Sequence, residues 1–509
     1  MSCCQCQMNR REFIEMTAAG VAASTLALSS LEAKNSIQDW NPNTKLLDIG
    51  KPLKVQPVLM YTVSHPKKQR SYKSWGGVQT DAAAEKEAQN IAAELSTLAQ
   101  NSDFSLDILP IVKATTTEAA EAIHRSDYDV IIVYPARGSG DLLRACISKD
   151  RDTLIFARKK SGPVYYWFEA LSVKYLQTEY ETKEHAAAKK KYVHVDDVII
   201  DDMNEMQWRL RALYGVKNFL NTKIVALGGA WGKYSPDAPE IAKKNFGMDI
   251  INVTYEELEK RIISARADKQ LTRKAKTWAR DYLALPGTTL KTDKEFVERC
   301  FELYWIFKQL MIEHQTETFT IRNCMATIMP MSETTACLTL GLLNDEGYMA
   351  FCESDFVVIP PGVLLRHISN KPVFLHNSTF PHNGQVTCAH CIGPRRMDGV
   401  NYDPTEVTTH YESEYGAAPK VEMPINQELT FIDPEYSTGR WIGFKGNVLA
   451  NPYYEICRSQ QDVEILGNWK KLKSEVRDSH WVNVYGDYLN ECGYAARKLG
   501  LRWDNFSEV

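Results

Sequence analysis

The chain has no long apolar run. Nowhere do about 18 apolar residues follow one another, the length a membrane-spanning helix needs. It also lacks an excess of positive charge: 60 Lys and Arg against 64 Asp and Glu give a formal charge of −4, which excludes an electrostatic nucleic-acid binder as the default reading. Cysteine is sparse, 12 in 509 residues, far below the density of a disulfide-stapled scaffold. A P-loop, a complete dinucleotide fingerprint, internal repeats and low-complexity tracts are absent as well. Large side chains, by contrast, are plentiful. With 24 Tyr, 17 Phe and 11 Trp the chain has the apolar surface to build real cores, and disorder throughout is excluded. At a prior of about 150 residues per domain, the length predicts two to four domains.

The first residues read as an address. Arg10-Arg11, followed by Glu12, Phe13 and Ile14 and then an Ala-rich, mildly apolar stretch, has the form of a twin-arginine export signal. Ala27 and Ser29, or Ala33, supply the small residues of a cleavage site. The partner this implies is the twin-arginine export machinery, and the destination is the periplasm or another exported location. Cys3, Cys4 and Cys6 precede the signal and would leave with it, so the remaining nine cysteines include at least one that cannot pair within the chain.

Beyond that, strand-like and helical patterns alternate. Strands are predicted over 55–63, 106–112, 130–134, 223–229 and 249–253, with helices over 82–100, 117–124, 204–221, 239–245 and 256–267. This rhythm argues for parallel sheets with helices on their faces. A helix over 293–315, a strand over 319–324, a short helix around Ser332–Leu343 and a strand over 348–352 follow. After Lys371 come short strands and turns (PVFLHN, QVTCAHC, ELTFI, RWIGFKG), which predict a small antiparallel barrel or sandwich. The expected fold class is α/β: two Rossmann-like open α/β domains at 45–215 and 216–355, behind a signal at 1–33, and a C-terminal β-rich, barrel-like domain at 356–509. The Lys-, Glu- and Ala-rich tract Glu181–Lys191 reads as a solvated helix or linker. Gly138-Ser139-Gly140 and the GGAWG stretch at 228–232 follow strands and read as strand-to-helix turns.

Several segments can carry chemistry. In FCESD, Glu353 and Asp355 are two apart, so on a strand both would face one side. Two carboxylates so placed call for a cation or a shared proton. Glu333, in PMSETTACL, falls in the first turn of the predicted helix with Ser332 as its cap, where the helix dipole alone would account for it. His480 precedes an apolar strand, and one histidine with two carboxylates suits Mn²⁺ or a similar divalent cation. Cys388-Ala389-His390-Cys391 has C-x-x-C spacing but no second pair to complete a zinc site. It reads as a strand with buried thiols, His390 being the member placed to reach a cleft and His382 a weaker candidate.

Four stretches, RLRALYGVKNFLNTKIVALGG (209–229), ACLTLGLLNDEGYMAFCESD (336–355), ISNKPVFLHN (368–377) and HWVNVYGDYLNECGYAARKLGLRW (480–503), resemble in order the L-fucose isomerase-like family of sugar isomerases. Weaker likeness lies in SWGGVQTDAAAEKEA and in YSPDAPEIAKKNFGMDIINVTYEEL, so the resemblance spans most of residues 50–505. It implies two α/β domains, a β-rich C-terminal domain, Mn²⁺ or another divalent cation held by Glu333, Asp355 and His480, and aldose–ketose isomerisation of a small-molecule sugar through an enediolate. Glu333 and Asp355 would share the proton transfer. Trp75 would stack on the sugar, His390 would hydrogen-bond a sugar hydroxyl, and the assembly would be a homo-oligomer, a trimer or hexamer. Pro360-Pro361 falls where the family continues into an uninterrupted helix, and proline there is expected to delay or break it. Two rival functions are an exported carbohydrate-binding protein without catalysis and a metal-dependent sugar lyase, epimerase or hydrolase.

Overall fold

The computed structural model describes residues 37–73, 76–159, 167, 170–171, 176–178, 193–435 and 439–507. The export-signal residues, Trp75 and the tract Glu181–Lys191 lie outside the described residues. No described helix is long and apolar enough to cross a membrane.

Among the described residues the chain is a mixed α/β protein with two larger parallel sheets, a two-stranded parallel pair (Leu176–Gln177 with Val193–His194) and a closed antiparallel barrel. In the first sheet, Leu53–Met60 is flanked by Leu106–Ile108 and Val112–Ala114 on one side and by Val130–Pro135, Asp152–Ala157 and Val198–Ile200 in turn on the other. The expected strand 106–112 is two short strands. Pro110 lies between them and has no N–H to give a ladder. Helix Asp81–Asn101 starts at Thr80, whose hydroxyl accepts from Ala83 N–H. In the second sheet the strand order is Asp249–Val253, Lys223–Leu227, Thr318–Ile321, Met349–Phe351, all parallel. Lys223–Leu227 comes first in the chain and lies second in the sheet. The order therefore reverses between it and Thr318–Ile321, and crevices at such switch points open at the carboxyl ends of the strands.

The barrel runs Glu428–Glu435, His480–Tyr485, Phe374–Ser378, Gln385–His390, Ser459–Leu466 and Arg440–Ala450, and closes by pairing Arg440–Ala450 with Glu428–Glu435. Closure gives each of these six strands a paired neighbour on both sides. Arg502–Asn505 adds in parallel to the outer edge of Arg440–Ala450. A separate three-stranded sheet, Thr288–Leu290 with Thr405–His410 and Tyr415–Val421, was not expected from the sequence. Along His480–Tyr485 the strand period of two sorts the side chains. Trp481 meets Phe444 and His376, whereas Val482 approaches the helix Ile359–Ser369 and His480 meets Asp355.

Two local expectations are corrected. Pro360 and Pro361 do not interrupt a helix but open one: Ile359–Ser369 carries proline in its first turn, where the missing N–H has no intrahelical partner to lose. The single short helix expected around Ser332–Leu343 is broken. A π-helical turn (Cys324–Ile328) leads into Met329–Ser332, and after an interval Cys337–Glu346 follows. One continuous core joins the layers, from Trp40 through both sheets to Phe506. Within it, Gly215 lies so close to the helix Ile359–Ser369 that a Cβ there would fall 2.5 Å from Ile368 Cγ1.

Candidate functional site

Three loops at the carboxyl ends of the second parallel sheet meet two strands of the barrel. The first loop follows Lys223–Leu227 and runs through Trp231 to Lys233; the second follows Met349–Phe351 and carries Glu353 and Asp355. They are laced together by Trp231 N–H donating to Ser354 O (3.1 Å) and Phe356 N–H to Trp231 O (2.9 Å). The third follows Thr318–Ile321, and its Arg322 lies over the Trp231 ring at 5.3 Å. From the barrel come His390, last residue of its strand, and His480, first of its own.

The sequence placed Glu353 and Asp355 on a strand with a common face. The strand ends earlier, at Phe351, and Glu353 and Ser354 both sit in the left-handed region (φ 64° and 48°). Two consecutive non-glycine residues there cost of order 1–3 kcal/mol each and persist only where the surroundings impose them. The turn brings the two carboxylates to opposite edges of one imidazole. Asp355 is fully buried, and its Oδ2 accepts from His480 Nδ1 at 2.7 Å. Its Oδ1 accepts from Lys233 N–H (2.9 Å) and Val357 N–H (3.2 Å). With Nδ1 protonated toward Asp355, His480 presents the Nε2 lone pair, which faces Lys233 Nζ at 3.2 Å and Glu353 Oε2 at 3.6 Å. The strand carrying His480 is fixed at its start: Asp478 accepts from Ser479 N–H and His480 N–H, and Asp433 accepts from Arg477 N–H and Asp478 N–H.

Glu353, His390 and His480 offer ligand atoms that all lie within 4.8 Å of one another. Burial alone would raise the Glu353 carboxyl, but His390, His480 and Lys233 together hold it well below the usual carboxylate range. Glu353 is a third exposed, so this side of the group is open. His390 is buried; its Nδ1 accepts from Cys391 N–H at 3.0 Å, and its Nε2 has no hydrogen-bond partner, lying 3.7 Å from Glu353 Oε1. A carboxylate with an open flank and one imidazole with a free lone pair, backed by a second carboxylate, form a donor set that fits a divalent cation, while His390, with Nδ1 accepting, turns its Nε2 toward Glu353. Lys233 complicates the fit, since its ammonium faces the same two acceptors, Glu353 Oε2 (3.4 Å) and His480 Nε2.

Of the residues the sequence singled out, Asp355, His480 and His390 are brought together. Asp355 stands behind His480 rather than beside a ligand position. Glu333 is not part of the group. It occupies the left-handed C-terminal cap of Met329–Ser332 (φ 53°), not the first turn of a helix, and its carboxylate pairs with Arg299 and, at 3.7 Å, with Arg266. Ser332 does not cap a helix N-terminus; its hydroxyl contacts Ile328 O and Thr334 O. His382 is turned to Phe380 O in an exposed loop. Cys388 and Cys391 do not act as a pair. Cys388 lies in the main core, whereas Cys391 belongs to a separate cluster with Cys337. Lys233 escaped the sequence reading; its one signal was the glycine-rich loop after a strand. Glu353 was visible in FCESD, but the resemblance moved the second carboxylate to Glu333.

No family model matches the chain, and no curated protein matches it. Among solved structures, a conserved domain protein from Vibrio cholerae O1 biovar El Tor strain N16961 aligns at 9% identity over 59% of this chain and 89% of that one, with a TM-score of 0.16, a likeness too low to carry an argument.

Proposed function

We propose that the chain is a metal-dependent aldose–ketose isomerase of the L-fucose isomerase-like kind. In this reading it has two Rossmann-like open α/β domains and a barrel, is exported by the twin-arginine route, acts on a small-molecule sugar as a homo-oligomer, and holds its cation with Glu353 and His480. The observation that carries the reading is the convergence of Glu353, His390 and His480 with Asp355 fixing the His480 ring. A divalent ion bound there supplies Lewis-acid polarisation of a carbonyl and its neighbouring hydroxyl. The chain supplies the rest. Asp355 sets the tautomer of His480. Glu353, the carboxylate with an open flank, accepts the proton from C2 of an open-chain aldose and returns it to C1, while the C2 hydroxyl proton passes to the C1 oxygen. His390, whose ring proton sits on Nε2 while Nδ1 accepts from Cys391, donates to a sugar oxygen.

Purified chain given Mn²⁺ and a panel of aldoses is expected to form a ketose, a chelator to abolish the conversion, and Glu353→Gln to lose it while Glu333→Gln keeps it. Loss in Glu333→Gln with retention in Glu353→Gln would overturn the assignment.

Lys233 favours a second reading. An ammonium already paired with Glu353 and His480 neutralises the site without an ion, as a carbohydrate-binding protein without turnover would require. In that case sugar binding persists with no dependence on metal.

A further inference from the structure

A second cluster of ligand atoms lies one residue beyond His390. Cys391 Sγ, Cys337 Sγ and a ring nitrogen of His410 all fall within 4.8 Å of one another. All three residues are buried: Cys337 is 4% exposed, Cys391 2% and His410 6%. A third thiol, that of Cys457, packs against the same small cluster while standing outside the 4.8 Å group. His410 Nδ1 is buried and has no hydrogen-bond partner, which leaves a polar atom in need of one. The four residues come from four separate places. Cys337 opens the helix Cys337–Glu346, Cys391 follows the strand Gln385–His390, His410 ends Thr405–His410, and Cys457 precedes Ser459–Leu466.

We propose that Cys337, Cys391, Cys457 and His410 form a structural Cys₃His zinc site. Three sulfurs and one imidazole are the donors Zn²⁺ takes in closed tetrahedral sites, with Zn–S near about 2.3 Å and Zn–N about 2.0–2.1 Å. Cys337, Cys391 and His410 draw together from within 4.8 Å of one another, and Cys457, which stands outside that group, moves in as the fourth ligand. Binding converts three thiols to thiolates and releases three protons, and the resulting centre carries one net negative charge. Two features of the chain answer that charge. Cys337 is the first residue of its helix, and negative charge is favoured at that end of a helix, and Arg458, next to Cys457, holds its guanidinium on Thr409 O, the residue before His410. Cys457 is partly exposed and provides the entry path. The site ties the helix layer to the barrel and fixes the backbone at Cys391, whose N–H sets the His390 tautomer. C-x-x-C spacing gives no hint of it, since the ligands are distant in the chain and Cys388 is not among them.

The test is metal analysis of the full chain carrying Glu353→Gln and His480→Ala, so that the carboxylate–histidine centre cannot contribute. One equivalent of zinc is expected, and it should be lost on adding Cys391→Ser or Cys337→Ser. Because those cysteine variants can fail to fold, Co²⁺ loading of the same double variant is the second readout, expected to give the intense thiolate-to-cobalt absorption of a tetrahedral sulfur-rich site. Zinc that disappears with Glu353 and His480, a chain without zinc whose Cys391 is in a disulfide with Cys457 or Cys337, or a cobalt form without thiolate absorption would each overturn the proposal. None of these outcomes bears on isomerase activity, so this proposal and the functional one fail separately.

Discussion

In the proposed reading, most of the chemistry turns on Asp355 and His480. In Asp355→Asn the amide oxygen can still accept from the backbone at Lys233, but the charge that fixes His480 Nδ1–H is gone. Loss of such a partner behind a metal-ligating histidine costs about 10–100-fold in metal affinity, and this is the expected rise in the Mn²⁺ dissociation constant by calorimetry; unchanged affinity would mean that His480 is held by packing alone. His367 offers a test of pH dependence away from the site. It is buried, and desolvation, helped by the neighbouring Arg366 charge, pushes its pKa down to about 3. The unfolded chain therefore binds a proton below about pH 6.5 that the native chain does not. Stability is full above that pH and falls with acid by about 1.4 kcal/mol per unit until the native pKa is reached. Denaturant unfolding at pH 5 and pH 7.5 should show a gap that shrinks in His367→Leu; an unchanged gap would place the titration elsewhere. At this scale the sequence singled out His480, Asp355 and His390, which the structure brings together. It also singled out Glu333, which lies apart: a left-handed backbone and two arginines place its carboxylate, and neither is written in the local pattern.

Among the elements, the helix Ile359–Ser369 links the two halves of the site. Gly362 brings it against both: a Cβ there would lie 2.6 Å from Phe351, at the end of the strand that leads to Glu353, and 3.4 Å from Val482, two residues after His480. Alanine in a helix interior normally gains up to about 1 kcal/mol over glycine. Overpacking against Phe351 costs about 1–3 kcal/mol and outweighs it, so Gly362→Ala is expected to lower the midpoint of urea unfolding; a rise would show that Phe351 moves freely. Elements with a clear period were legible: Asp249–Val253 matches its prediction, and the helix Asp81–Asn101 falls within one residue of its predicted bounds. Where non-local packing decided, the pattern misled. The 319–324 strand stops at Ile321 and gives way to a π-turn, and Pro360-Pro361 opens a helix because a proline-bearing first turn reads locally like a break.

On the scale of the whole molecule, the site exists because a parallel sheet presents its carboxyl ends to the mouth of a barrel. Alternation of helix and strand predicted the parallel sheets, and the run of short strands predicted a barrel or sandwich. Closure was not legible: Glu428–Glu435 and Arg440–Ala450 form a local hairpin, but the ring is completed by strands far apart in the chain, such as His480–Tyr485 between Phe374–Ser378 and Glu428–Glu435. Nor could the sequence reveal that a loop at 231–233 would meet residues at 353–355 and 480, because proximity over such separations is a product of the fold. In the proposed reading Glu353 and His480 hold a divalent cation in spite of Lys233. Mn²⁺ titration of the full chain, followed by the loss of the free-ion electron paramagnetic resonance signal, measures this directly. The prediction is one bound ion per chain that Glu353→Gln and His480→Ala each abolish and Lys233→Met binds more tightly; a chain that leaves all Mn²⁺ free while still binding sugar would contradict it.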